Sequence, residues 1–374
     1  MVRKMASIKT IDGIRPIDGA DRIETAYIGG WPVVVGKDDA FKPGDKVVYF
    51  EPDAMLPLDE PQFANLADRG RNKPNDAGKQ CVVLRTVKLR GQISQGLVMR
   101  LDTMGIEPGI PEGTDVSERL GIQKYDPPEI PGRPANLKPW PDFLRKTDEE
   151  RIQNLIDMVR WFDESPDGER LASEFHASEK LDGTSTTYYR MKDETEKDGV
   201  RYGACSRSNE VLRNNPDGSA ADDNLYWRNY DAYDIRSRLD AIAGNHPDAL
   251  SVAIQGESTG PSINGNRLGG KRLEFHAFNV LIDGERHDPM DEGLADIAVP
   301  QLDGRLPFHH GGNPLDDLQE ALFIADGIHS KLDGSKLAEG IVWRYDGKLP
   351  EGFDPAWRHF KTISNRYLVK LGKD

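Results

Sequence analysis

The chain has 374 residues, 37% hydrophobic and 30% charged, with a formal net charge of −14 and two cysteines, Cys81 and Cys205. That length suits two or three domains and a sizeable core, and two cysteines exclude a disulfide framework and a cysteine-rich zinc site. The acidic balance excludes a broadly basic nucleic-acid coat, but basic groups clustered in one groove could still hold phosphate.

No apolar run approaches the roughly 18 residues of a membrane span. The start, MVRKMASIKTIDG, lacks the apolar stretch of a secretory signal. A cytoplasmic location is expected, with no membrane partner.

The first unit, residues 1–105, reads as all-β. Strands are expected at Trp31–Gly36, Lys46–Phe50, Gln80–Leu89 and Gln95–Leu101, rich in Val, Leu, Tyr and Phe. Gly29-Gly30, Pro43-Gly44-Asp45 and Gly91 punctuate them. Short strands broken in this way suggest a small OB-like barrel. Arg85, Lys88 and Arg90 give it a local positive cluster, with Lys88 and Arg90 on one face if the run is a single strand. Trp31 fits a buried core position better than a base-stacking one.

Residues 106–141 form a connector rich in proline, including Pro127-Pro128 and Pro131. Proline removes donors and disfavours helix, so this stretch should be extended and stiff. Arg133, Lys138, Arg145 and Lys146 add positive charge in and after it.

The second unit, residues 142–374, reads as α+β. Thr147 and Glu150 form a capping box, with Asp148 and Glu149 at the positive end of a helix dipole. Ile152, Leu155, Val159 and Phe162 then fall at helical spacing. Strands are expected at Thr184–Met191, Ser251–Gln255, Leu273–Leu281 and Gly340–Tyr345, and a helix at Leu315–Ala325.

Chemistry is concentrated at Ser178-Glu179-Lys180-Leu181-Asp182-Gly183-Thr184-Ser185. A lysine becomes a nucleophile once it loses its proton, which a nearby divalent cation or partial burial would ease. Asp182 could help to hold that cation, and Gly183 could let the backbone approach a nucleotide. Taken alone, Lys-x-Asp-Gly also fits a solvated turn. Downstream, in order, stand Ser206-Arg207, Gln255-Gly256-Glu257-Ser258-Thr259-Gly260, Phe275-His276-Ala277-Phe278-Asn279-Val280, Glu339-Gly340-Ile341-Val342-Trp343-Arg344 and Phe360-Lys361-Thr362-Ile363-Ser364.

This series resembles motifs I, Ia, III, IIIa, IV and V of the covalent nucleotidyltransferases: ATP-dependent RNA and DNA ligases and mRNA capping enzymes. The resemblance covers about residues 143–374. The Glu-Lys-Leu-Asp-Gly-Thr-Ser form and the run Phe360–Leu368 look like RNA ligases of the Deinococcus and Naegleria type, which carry an OB domain ahead of the transferase domain. The chain ends 13 residues after Lys361, which argues against the C-terminal OB domain of DNA ligases and capping enzymes. Those enzymes are the alternatives within the class. A non-catalytic nucleic-acid-binding protein is the alternative outside it.

The resemblance implies a set of roles. Lys180 would be the nucleophile that takes AMP from ATP. Glu179, Asp182, Gly183, Ser185, Arg207, Glu257, Phe278 and Lys361 would surround the nucleotide. Glu179 would lie beside the adenine edge, Phe278 would stack on the base, and Lys361 would neutralise the α-phosphate. Glu339, with Asp182 and Glu257, would favour Mg²⁺ or Mn²⁺. Arg344 would contact phosphate, joining Arg85, Lys88 and Arg90 on the nucleic acid. Motif V usually has two lysines, and only one is present, so His359 or Arg358 is expected to cover for the other. Lys331-Leu332-Asp333-Gly334-Ser335 repeats the first motif without its glutamate and is taken as a decoy loop. Nicked RNA or an RNA/DNA duplex is the expected partner, with the protein acting as a monomer.

Overall fold

Val47-Val48-Tyr49-Phe50 is a continuous apolar run, which suits a strand covered on both faces. Strand Lys46–Phe50 pairs antiparallel with Ala6–Thr10 on one side and Leu97–Arg100 on the other. Val48 and Phe50 enter a core with Ile8, Leu56, Phe63 and Val82. Val47 and Tyr49 enter a second core with Ile28, Trp31 and Val33. The alternation of side chains along one strand thus serves two cores. The computed structural model describes residues 3–67, 72–125, 136–146, 148–214, 219 and 224–371. Thr147, Pro127-Pro128, Pro131 and Arg133 lie outside them.

Two larger antiparallel sheets and a two-stranded ribbon complete the N-terminal unit. One runs Gly13–Pro16, Ile23–Ile28, Trp31–Gly36, and the other Gln123–Lys124, Ala54–Pro57, Gln80–Val83, Asn72–Pro74. The expected strand over Gln80–Leu89 is broken. Its second half, Thr86–Leu89, pairs with Gln92–Gln95 as a separate two-stranded ribbon. Arg90 and Gly91 take φ of 50° and 88° at its tip, positive at both central residues as a type I′ turn requires. Arg85 therefore precedes the ribbon and Arg90 sits in its turn, so the single-strand arrangement of these charges is replaced.

The described part of the proline-rich connector packs on both sides. Ile106, Ile110, Val116 and Ile122 belong to the first N-terminal core. Leu137–Pro139 is an edge strand of the C-terminal unit, paired with Asn209–Val211.

That C-terminal unit has two sheets. The seven-stranded one runs Leu137–Pro139, Asn209–Val211, Val200–Cys205, Thr184–Lys192, Ser251–Thr259, Glu274–Ile282, Glu285–His287. The five-stranded one runs Glu150–Arg151, His359–Ile363, Gly340–Arg344, His176–Lys180, Gln301–Leu302. Helices Leu225–Ala232 and Ile235–Asn245 pack on the larger sheet. Helices Ile156–Glu164 and Pro314–Gly327 pack on the smaller. The last begins as its sequence suggests, with the Asn313 side chain capping Leu315 and Asp316 and proline in the first turn.

The helix expected from Thr147 starts later, at Ile156. Tertiary pairing overrides the local capping signal. Glu150–Arg151 is a strand parallel to His359–Ile363, and Ile152–Asn154 is a 3₁₀ turn. The acids meant for the helix dipole are used elsewhere: Asp148 on Lys361 at 3.1 Å, Glu149 on Arg286 at 3.0 Å, and Glu150 on Asn154 at 2.8 Å.

The same turn docks the two units. Gly30 donates its N–H to the Gln153 carbonyl at 3.0 Å. Trp31, 1% exposed, donates its indole N–H to Asn154 Oδ1 at 2.6 Å. Gln153 Nε2 reaches Gln95 Oε1 at 3.3 Å. Trp31 is thus a core and junction residue. No helix among the described residues is long and apolar enough to cross a membrane.

Candidate active site

Strand His176–Lys180 lies in the five-stranded sheet and Thr184–Lys192 in the seven-stranded one. The turn Leu181-Asp182-Gly183 therefore carries the chain from one sheet to the other. It needs glycine for a reason the sequence did not disclose. A Cβ at 183 would stand 2.2 Å from the Ser258 carbonyl oxygen and 2.9 Å from the Glu257 side chain. The close approach is to the neighbouring strand.

Lys180 ends its strand opposite Gly340. Its Nζ donates to Glu339 Oε2 at 2.9 Å. Burial alone would lower its pKa, but Glu339, Glu257 and Asp182 outweigh burial and raise it, holding the ammonium form. Glu257 comes from the seven-stranded sheet, opposite Ser185 in register. Burial pushes Glu257 up to about 7, opposed by Lys180 and reinforced by Glu339 and Asp182. Burial also raises Glu339. Three acids, from the seven-stranded sheet, the connecting turn and the start of strand Gly340–Arg344, thus surround one lysine.

Glu179 points away from solvent at 1% exposure. Its Oε2 accepts the Lys331 backbone N–H at 2.8 Å, while its Oε1 has no protein partner. Burial raises its pKa. The second Lys-x-Asp-Gly run is therefore a neighbour of the first motif, and its Leu332 packs with Leu181, Leu268, Val299 and Phe278.

Phe278 is the unpaired residue of a β-bulge, because Gly256 pairs with Ala277 and Gln255 with Asn279. A bulge re-aims a side chain. Phe278 is half-buried toward Leu181 and Val299, whereas Phe275 is core, 5.0 Å from the Tyr188 ring. Of these two aromatics only Phe278 is partly exposed.

Lys361 faces the same region from strand His359–Ile363 and pairs with Asp148. Burial lowers its pKa, with Lys180 and Arg151 adding repulsion against Asp148. Arg207 also acts on Asp148, so motif Ia reaches this corner.

Neither expected stand-in for a second motif V lysine supplies charge there. Burial, with Arg286 and Arg344, depresses His359 to about 4, so it is neutral near pH 7. Arg358 donates to the Tyr345 carbonyl oxygen and lies over that ring. The cation opposite Lys361 in register is Arg151. It is 9% exposed, 3.9 Å from Asp53, and its Nε and Nη1 have no protein partner.

Arg344 is also placed differently from a strand-binding surface group. It is half-buried, donates to the Phe278 carbonyl oxygen and lines a small cavity with Ser178, Phe278 and Asp288. Arg85, Lys88 and Arg90 remain apart on the N-terminal unit. There the ribbon Thr86–Leu89 touches the C-terminal helix Asn365–Leu371.

Sequence reasoning missed Asp148, Arg151, Asn264, Arg267 and Tyr367. Tyr367 stood in the final motif, but no local pattern shows that its hydroxyl reaches residue 182.

Among the described residues no group of three or more His, Cys, Asp or Glu side chains is arranged to hold a metal ion directly. The acids around Lys180 instead suit a hydrated hard cation, which keeps several waters.

A family profile for RNA ligase matches residues 173–362. The chain belongs to the RNA ligase family. A second profile, for an OB-fold domain, matches residues 5–101. This RNA ligase therefore has the architecture the sequence suggested, an OB-fold domain followed by a ligase domain. Solved structures of Naegleria gruberi RNA ligase are similar over the whole length. A variant with ATP and Mn is 31% identical, with a TM-score of 0.77, covering 98% of this chain and 99% of that one. Another, with AMP and Mn, gives the same identity, coverage and TM-score. The enzyme with PPi is 31% identical, with a TM-score of 0.76, covering 100% of both chains. A search of curated protein sequences gave no match.

Proposed function

We propose that this RNA ligase is ATP-dependent and joins a 3′-hydroxyl to a 5′-phosphate through a lysyl-AMP and an adenylated strand. The observation that carries the reading is the Lys180–Glu339 ion pair at 2.9 Å, with Asp182 two residues on and Glu257 held by the Gly183 N–H of the same turn. The N. gruberi structures with ATP or AMP and Mn support the choice of ATP and of Mn²⁺ or Mg²⁺.

Lys180 sheds its proton, its amine attacks the α-phosphorus, a P–N bond forms and pyrophosphate leaves. AMP then passes to the 5′-phosphate, and attack by the 3′-hydroxyl expels AMP. Asp182, Glu257 and Glu339 would hold a hydrated divalent cation, whose positive charge favours the neutral amine and offsets charge on the phosphate. Glu179, whose carboxylate accepts the Lys331 N–H, would lie beside the adenine edge, and Phe278 would offer its ring to the base. Ser185, opposite Glu257, and Gly183, hydrogen-bonded to it, would line this site. Lys361 and Arg207 supply positive charge for phosphate, with Arg151 rather than His359 beside them.

Residues 1–105 would hold the polynucleotide, nicked RNA or an RNA/DNA duplex, through Arg85, Lys88 and Arg90. Residues 142–374 would carry the nucleotide chemistry, with 106–141 between. Arg344 is left out of the strand-binding set because its guanidinium faces Phe278.

The test is incubation with labelled ATP or GTP and Mn²⁺, followed by a denaturing gel and sealing of a nicked duplex. Label from ATP, absent in Lys180→Ala, is expected. Label from GTP alone, or label retained by Lys180→Ala, defeats the reading.

A further inference from the structure

Asp182 follows the lysine by two residues, and its carboxylate is held from two other parts of the chain. Asn264 Nδ2 donates to Oδ1 at 2.9 Å. Arg267 Nη1 donates to Oδ2 at 2.9 Å, and the Tyr367 hydroxyl donates to the same oxygen. Asn264 and Arg267 come from the loop after strand Ser251–Thr259, and Tyr367 from the C-terminal helix Asn365–Leu371.

The loop is built for this. Asn264, Gly265 and Asn266 take φ of 46°, 67° and 52° in succession. Asparagine and glycine are the residues that tolerate this left-handed region. Asn264 also donates to the Gly183 carbonyl oxygen at 2.5 Å, so one side chain grips two groups of the turn. The helix is anchored too. Ser364 Oγ accepts the Tyr367 N–H at 3.1 Å and donates to Asp326 at 3.0 Å.

A carboxylate has about four lone-pair sites. Three donors fill three of them, which fixes its rotation and leaves one direction open. Asp182 remains close enough to Lys180 to raise its pKa. The Asp182 side chain is 12% exposed, so few waters compete for it.

We infer that Tyr367 and Arg267 are positioning residues for Asp182, clamping its carboxylate so that it serves a hydrated divalent cation beside Lys180 during lysine adenylation. The C-terminal helix then belongs to the nucleotidyl-transfer machinery. This inference rests on the function proposed above and names who holds the acid.

The experiment uses the full chain and two readouts. The first is Mn²⁺ binding, followed by the electron paramagnetic resonance signal of free Mn²⁺. The second is the Mn²⁺ dependence of adduct formation at saturating ATP. Tyr367→Phe removes only the hydroxyl, and Arg267→Lys keeps charge while changing its geometry. Loss of one charge-assisted hydrogen bond should weaken Mn²⁺ binding by about tenfold. The half-saturating Mn²⁺ for adenylation should rise in parallel, with most of the maximal rate recovered at high Mn²⁺.

The decisive comparison is Tyr367→Phe in an Asp182→Asn background, where a residue acting through Asp182 causes no further loss of Mn²⁺ binding. The inference is overturned if the single variant binds Mn²⁺ like the parent, or if its effect is the same in both backgrounds. It is also overturned if the maximal rate falls with no change in Mn²⁺ requirement, as a merely structural defect would give. A parent chain that forms no adduct defeats the proposed function, and Mn²⁺ binding then decides the clamp by itself.

Discussion

The backbone N–H of Gly183 donates to Glu257 Oε1 at 3.1 Å, tying the turn after the lysine to an acid on the neighbouring sheet. That acid is half-buried and pushed up to about 7, by desolvation first and by Glu339 and Asp182 after it. A carboxyl raised above its unfolded value of about 4.5 favours the folded state fully below that pH. The contribution is lost as pH rises through 7. Glu257→Gln cannot ionise and should melt a few degrees higher than the parent at pH 8, by roughly 1–3 kcal/mol. The gap should close below about pH 4.5. Melting curves of both proteins across that range, in chelator, give the answer. A constant gap would show that ionisation of Glu257 is not its source.

Gly183→Ala should disable the turn. The added methyl meets backbone and the Glu257 side chain at the same time, so the strand must shift. Overpacking of this kind costs about 1–3 kcal/mol. Adduct formation should fall by at least about tenfold, since small misplacements of reacting groups are expensive. Urea denaturation and the labelled-adduct gel together check both parts, and normal labelling would exclude the steric account.

Trp31 should matter for coupling the two units. Trp31→Phe leaves Asn154 Oδ1 without its indole donor, at about 1–3 kcal/mol. Trp31→Ala also opens a cavity, at about 3–5 kcal/mol. The alanine variant should unfold in two urea transitions, with the N-terminal one earlier. A single unshifted transition would mean that the junction does not couple them.

The ribbon should bind RNA electrostatically. Replacing Arg85, Lys88 and Arg90 by glutamine should weaken binding to a nicked RNA duplex, most at low salt. Each lost phosphate contact should reduce the salt slope by roughly one unit. Binding titrations between low and moderate salt measure this, with circular dichroism as the control for folding. An unchanged slope would move the strand-binding surface elsewhere.

Much of this molecule was legible in its sequence because the signals were local. Strands Trp31–Gly36 and Lys46–Phe50 formed where apolar runs met turn residues. The lysine and its acids came from ordered motifs. What failed needed long-range partners. Thr147–Glu150 matched a helix start, but the acids at 148, 149 and 150 found Lys361, Arg286 and Asn154 instead. Gln80–Leu89 looked like one strand, yet its halves pair in different sheets. Arg151 became visible only through a parallel pairing with residue 361. Tyr367 required the C-terminal helix to fold back onto the lysine turn. The charge pattern of a short window cannot reveal partners 185 positions away.

Lys180 is itself a cation set among Asp182, Glu257 and Glu339. The acid cluster thus carries an internal counter-ion, tethered to the chain that supplies the acids. Sites whose neutralising charge is diffusible lose structure when a chelator strips it. Here the tethered charge stays through any such treatment. The chain should assemble fully in EDTA and melt at nearly the same temperature with or without it, so that divalent ions govern turnover and not the making of the fold.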